Sequence, residues 1–291
     1  MRLMALVVFL AVRSHSQVLV TTYRNNLARS GENLQETILT PSNVAPAQFG
    51  KLFSQPVDGQ VYAQPLYMPS VSVPGKGIHN MIFVVTAHDT VYAFDADSSA
   101  APLWRVSLAT APGERPLNVS DVLGCNSMTP EIGITGTPVI DSAAGTLYVV
   151  AVTILNGSFV HRLHALDITT GAEKPGSPVV ISASVTVPGQ STVTFDPTWQ
   201  LQRAGLLLYN GVVYIAFASY CDQQDWRGWI IGYSYNGSSF SRAFVFSDEP
   251  SSVNGRQAGI WMAGQGLSMD TGSNMFVATG NGRTFLTTWS S

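Results

Sequence analysis

Charge is scarce in this chain of 291 residues. Asp, Glu, Lys and Arg make up 11% of it, and the formal net charge is −3. No basic stripe exists to neutralise a phosphate backbone, which excludes a nucleic-acid partner. With 45% of residues hydrophobic, the low charge also excludes a disordered chain. Histidine is sparse, at five scattered residues. His161 and His164 are three apart on a strand pattern, which puts them on opposite faces, so no zinc-pair spacing is present. No G-x-S-x-G nucleophile elbow occurs. No coiled-coil heptads occur either. Gly264-Gln265-Gly266 and Gly280-Asn281-Gly282 open no helix and so make no phosphate cradle. Long apolar runs are missing too. Leu3 to Val12 is about ten residues, roughly half of what a membrane-spanning helix needs.

That run has another reading. Met1-Arg2 gives a positive start, Leu3 to Val12 an apolar core, and Ser14-His15-Ser16 small residues where a signal peptidase cuts. Residues 1–16 are therefore expected to be a signal peptide, and the mature chain to be secreted or periplasmic. Export changes the meaning of the two cysteines, since an isolated pair in an oxidising compartment usually bonds. Cys125 and Cys221 are expected to form a disulfide. The sequons at Asn118, Asn156 and Asn236 also read as ordinary turn chemistry.

What is abundant is strand-and-turn punctuation. There are 26 Gly and 16 Pro, set between short β-branched and apolar runs. Residues 17–58 read as an extended lead-in, with one short helix near Pro46 to Phe49 and a strand at Lys51 to Val57. Repeats of four strands follow, at about 59–108, 133–181 and 203–247, and a fourth begins at 264 and runs to 291. The second-strand aromatics Phe83, Tyr148, Tyr214 and Phe276 are 65, 66 and 62 residues apart. A regular succession of four-stranded antiparallel units predicts a β-propeller. About three and a half blades are legible, an open arc whose edges invite self-association, so the chain reads as the front part of a longer protein.

Ala165-Leu166-Asp167-Ile168-Thr169-Thr170-Gly171 resembles the A-x-D-x-x-T-G core of the repeat in pyrroloquinoline quinone (PQQ) dehydrogenases and their non-enzymatic relatives. Ala93-Phe94-Asp95, with Trp104 further on, is a looser copy, and Ile231-Gly232-Tyr233-Ser234 takes the same place without the Asp. The resemblance covers about 59–282 and is closest to secreted, uncharacterised propellers of the group. It implies the fold, and a docking Trp at the end of each repeat; the second repeat has Pro175 near that position. It also implies, for the enzymes, adjacent cysteines against the quinone and a carboxylate base beside calcium. Cys125 and Cys221 are far apart, and no motif places the carboxylate.

In an up-and-down blade, the loop between the second and third strands shares a face with the connection to the next blade. The long connections 109–132, 182–202 and 248–263 should therefore gather with the loops 86–90, 153–160 and 219–228, as should Cys125 with Cys221. Binding residues concentrate on such loops. Trp199, Arg203, Trp226, Arg227 and Trp261 are the candidate ligand-binding residues there. Arg203 and Glu131 stand just before inner strands and must pair or meet a ligand if buried. No catalytic set and no metal site are expected. The function expected is an exported scaffold that binds a protein or a glycan; the alternative is a PQQ- and calcium-dependent alcohol or sugar dehydrogenase, or a fragment of one.

Overall fold

Strands buried on both faces dominate the computed structural model, which describes residues 18–280 apart from 123, 127, 187–188, 190–191, 224 and 249–257. The first sheet is a meander of β1 (Leu66–Val73), β2 (Gly77–Val85), β3 (Thr90–Asp95) and β4 (Trp104–Ser107). The second contains β5 (Arg115–Pro116), β6 (Val139–Asp141), β7 (Thr146–Leu155), β8 (Ser158–Asp167) and β9 (Val179–Val180), with both β5 and β6 paired to β7. A hairpin of β10 (Ser184–Thr186) and β11 (Thr192–Thr194) occupies the next connection. The third sheet contains β12 (Gln200–Gln202), β13 (Leu207–Tyr209), β14 (Val212–Ser219), β15 (Trp229–Tyr235) and β16 (Phe240–Ser247), with β12 and β13 both on β14. A two-stranded sheet of β17 (Ser268–Met269) and β18 (Met275–Phe276) follows. The fold is an all-β propeller arc of three blades and the beginning of a fourth.

The period of two explains why blades stack. In β7, Leu147, Val149 and Ala151 enter a core shared with the first blade, while Tyr148 and Val150 enter one shared with the third. A strand with both faces covered reads as a continuous apolar run rather than an alternation. The repeat aromatics occupy equivalent registers. Phe83 lies opposite Leu66, Tyr148 opposite Val139, Tyr214 opposite Leu207 and Phe276 opposite Ser268. Phe83 and Tyr148 are buried by the following blade, whereas Phe276 is 53% exposed.

The lead-in crosses the whole arc. Val20 bridges Tyr67 beside β1, Thr21 O accepts from Ile140 N of β6, and Leu27 O accepts from Met269 N of β17. Arg29 completes the strap. Its guanidinium donates to Leu267 O and Leu206 O (2.9 Å each), to Tyr23 O (2.9 Å) and to Thr22 Oγ1 (2.5 Å). Burial lowers its pKa to about 10, against a smaller opposing effect of Tyr23. Carbonyl acceptors thus satisfy a buried cation where a bare one would be costly.

Two expectations for the lead-in fail. Near Pro46 to Phe49 the chain makes a single turn, with Gln48 N and Phe49 N both donating to Ala45 O, and no helix propagates. One turn fixes several dihedrals for few hydrogen bonds, so it stays a turn. Residues 51–57 form no ladder. The first repeat, expected from about 59, gains its first strand only at Leu66, after Pro65, which has no N–H for a ladder. The expected signal peptide at 1–16 and the tail beyond 280 lie outside the described residues.

Candidate functional site

The loop face is closed around a disulfide. Cys125, on the connection that enters the second blade, bonds to Cys221 in the β14–β15 loop of the third, with Cα atoms 5.5 Å apart. β5 holds that connection against the end of β7, and Leu117, Val122, Ile132, Leu201 and Tyr220 pack around the bridge. The corresponding junction of the first two blades is polar. His88, in the β2–β3 loop, meets Glu131 through Nδ1 at 2.8 Å. The connection 109–132 therefore does share a face with the loops 86–90 and 219–228, whereas most of 248–263 lies outside the described residues.

The five ligand candidates separate into two places. Trp226 and Trp261 flank Gly259, where a Cβ would lie 2.8 Å from the Trp226 ring and 3.3 Å from Trp261 Nε1. Trp226 is only 1% exposed and its Nε1 has no hydrogen-bond partner; Trp261 is half-buried beside the disulfide cluster. Arg227 is held at its backbone by Gln200, whose amide, turned to satisfy its neighbours, donates to Arg227 O at 2.7 Å. Trp199 is half-buried, and its carbonyl accepts from Tyr220 N.

Arg203 stands apart from these four, in the break between β12 and β13. Nη1 donates to Thr135 O at 3.0 Å, and the guanidinium lies 5.8 Å from the centre of the Tyr62 ring. Burial lowers its pKa, with Tyr23 and Tyr62 opposing. Among the described residues no carboxylate pairs with it. Tyr62 and Tyr23 escaped the sequence reading because both lie in irregular backbone where no repeat register marks them. Tyr23 comes to the site through the lead-in strap, with its Cβ 2.9 Å from where a Cβ on Gly205 would lie.

Asp89 belongs to the loop 86–90 expected on that face, yet its side chain is sealed. It is 0% exposed and neither carboxyl oxygen has a hydrogen-bond partner. Burial, then Glu131 and Glu114, raise its pKa well above the ordinary carboxyl value, and Arg162 opposes them. A buried carboxyl without partners keeps its proton because the charged form is the costlier one. Its backbone φ of 54° places it in the left-handed region, a turn geometry that Asp tolerates. Burial likewise pushes the Tyr220 hydroxyl up, with a contribution from Asp89.

No family model matches the chain, and no curated protein sequence matches it. A solved structure does: the quinohemoprotein alcohol dehydrogenase from Comamonas testosteroni, with a TM-score of 0.58 at 18% identity, over 91% of this chain and 36% of that one. The chain has a PQQ-type propeller fold. At that identity the likeness speaks for fold alone, and the chain spans little more than a third of the neighbour's length.

The described residues do not fit a quinone–calcium pair. Among those described, no three His, Cys, Asp or Glu side chains converge as ligands. Three loop-face carboxylates are already engaged: Glu131 by His88, Asp121 by Arg115 in a two-pronged pair at 2.7 Å, and Glu114 by Arg162. Burial raises the pKa of Asp89 well above the ordinary carboxyl value, which disfavours its charged form. The disulfide joins residues 96 apart, not neighbours. Arg203, beside Tyr62, instead offers a cation with no carboxylate partner among the described residues, an arrangement suited to binding an anionic group rather than to holding a cation.

Proposed function

We propose that this chain is a ligand-binding propeller scaffold of an exported protein, whose loop-rich side receives an acidic glycan or a protein carboxylate at Arg203. The observation that carries this reading is the half-buried Arg203 guanidinium, anchored to Thr135 O over Tyr62 with no carboxylate partner. A desolvated cation gains from an incoming anion more than an exposed one does. Trp199 and Trp261 are half-buried but stand apart from Arg203, so only an extended partner would reach them as well. Export is supported by the disulfide, because such bonds persist in oxidising compartments. No helix among the described residues is long and apolar enough to cross a membrane.

The test is a binding titration with oligogalacturonate and with an uncharged oligosaccharide of the same length. Oligogalacturonate should bind, and Arg203→Ala should weaken it by about tenfold or more. Equal binding of the neutral oligomer, or no effect of Arg203→Ala, would refute this reading. The competing reading, a portion of an alcohol dehydrogenase, draws on the neighbour's identity. Dye reduction with an alcohol panel after adding PQQ and calcium, lost in Arg203→Ala, would favour it.

A further inference from the structure

A cleft of about 380 Å³ lies between the first two blades, away from Arg203. The strand beside β8 is discontinuous there: Glu173 bridges Leu166, 175–178 leave the ladder, and β9 resumes it for only two residues. Side chains on β8 that face the first blade, Arg162, His164 and Leu166, then form one wall. Val106 and Leu108, at the end of the first blade, form the other.

The polar groups of this wall are held in place but not used up. Glu173 engages His164 at Nδ1 and accepts from Ser177 Oγ with its other oxygen at 2.5 Å. His164 is 2% exposed, and its Nε2 has no hydrogen-bond partner. With the ring proton on Nδ1 directed at Glu173, Nε2 is an acceptor. Arg162 commits Nη1 to Glu114 and to Thr153 Oγ1, which leaves Nε and Nη2 as donors. Glu114 itself is saturated by Thr153 Oγ1 and by the N–H groups of Thr110 and Ala111.

We propose that this cleft binds a small neutral ligand rich in hydroxyl groups, of the polyol or saccharide class, which accepts from Arg162 and, by displacing the part of the wall that seals it, donates to His164 Nε2. A hydroxyl is the group that does both at once. Glu114 matches the charge of Arg162 and Glu173 sits on His164, so an anion finds no unmatched cation to offset its desolvation. The apolar walls suit the C–H faces of a ring. The volume falls within the range of small-molecule pockets, roughly 300–1,000 Å³.

The experiment is isothermal titration of the whole chain carrying Arg203→Ala, a change that removes the carboxylate site proposed above at a position that does not line this cleft, with glucose, myo-inositol and glycerol, and with gluconate as the anionic counterpart. At least one neutral ligand should saturate, and gluconate should bind about tenfold more weakly. Ser107→Trp, which fills the exposed rim, should abolish binding while near-ultraviolet circular dichroism stays native; Ala172→Leu is a second blocking variant should the first misfold. His164→Leu should weaken binding about tenfold by removing the acceptor. Absence of saturation by every neutral ligand, preference for gluconate, or unchanged affinity in a folded blocked variant would overturn the proposal.

Discussion

The seam between the first and second blades and the seam between the second and third are built from different chemistry on the same scaffold. At the turn side of the first seam, Trp104 lies on the Asp167–Gly171 turn. Its Nε1 donates to Ile168 O at 3.0 Å, and a Cβ on Gly171 would come within 2.6 Å of the ring. Asp167 shapes that turn by accepting from Thr169 N and Thr170 N, and Gly171 closes it at a φ of 75°. The second seam has no Trp at this place. There Tyr235 OH donates to Pro175 O at 2.7 Å, and Gly176 packs against the backbone at Ser238. On the loop side the contrast continues, with the His88–Glu131 pair in the first seam and the disulfide in the second. A repeat scaffold demands that neighbouring blades be held at both ends of the seam, and it tolerates exchange of the means.

The largest effect should come from breaking the first seam. Trp104→Ala removes a buried indole from a core shared by two blades and should cost about 3–5 kcal/mol, read as the urea midpoint with its slope. A loss below ~1 kcal/mol would mean that the Trp is not what holds this seam. Opening the disulfide attacks the second seam. Cys125→Ser with Cys221→Ser should lower stability by up to about 4 kcal/mol in the chain-entropy account, for a closed loop spanning 96 positions. Limited proteolysis should then cut first near 119–132 or 219–228.

The seams should also respond to pH with opposite sign. His161, buried against Phe195 and Phe217 in the second seam, has its pKa lowered by burial to about 4, with carbonyl hydrogen bonds opposing. Its contribution is complete above the unfolded value near 6.5 and is lost as the pH falls toward 4, on the order of 3 kcal/mol. Asp89, at the loop end of the first seam, has a raised pKa, so stability falls as the pH rises above the ordinary carboxyl value of 3.8 and the unfolded chain ionises first. Asp89→Asn should therefore stabilise the chain more at pH 8 than at pH 4, and His161→Gln should flatten the acid limb. Thermal melts across that range check both; identical pH profiles for the variants and the parent would contradict the assignment. The smallest effect belongs to Tyr235→Phe, which removes one hydrogen bond at a partly exposed site and should cost about 0.5–1.5 kcal/mol. If it equals the Trp104→Ala loss, the two seams are not as different as their chemistry suggests.

Sequence alone determined the architecture, because period-two apolar runs and turn residues are local signals. The ~65-residue recurrence of Phe83, Tyr148, Tyr214 and Phe276 marks equivalent registers, and the Asp167–Gly171 turn needs only residues close in the chain. The Cys125–Cys221 bond followed from strand order, which already dictates which loops share a face. Tertiary structure decided the rest, because burial and pairing depend on groups far apart in sequence. Nothing local distinguishes Trp226, sealed behind Gly259, from the half-buried Trp261 on the other side of the same glycine. Nothing local says that Asp89 loses its water, that Arg29 ends among four blade and strap acceptors, or that Tyr23 reaches Gly205 across nearly the whole arc. The cleft beside His164 was equally hidden: it arises where a two-residue strand fails to cover its neighbour, and a missing contact leaves no mark in the residues that would have made it.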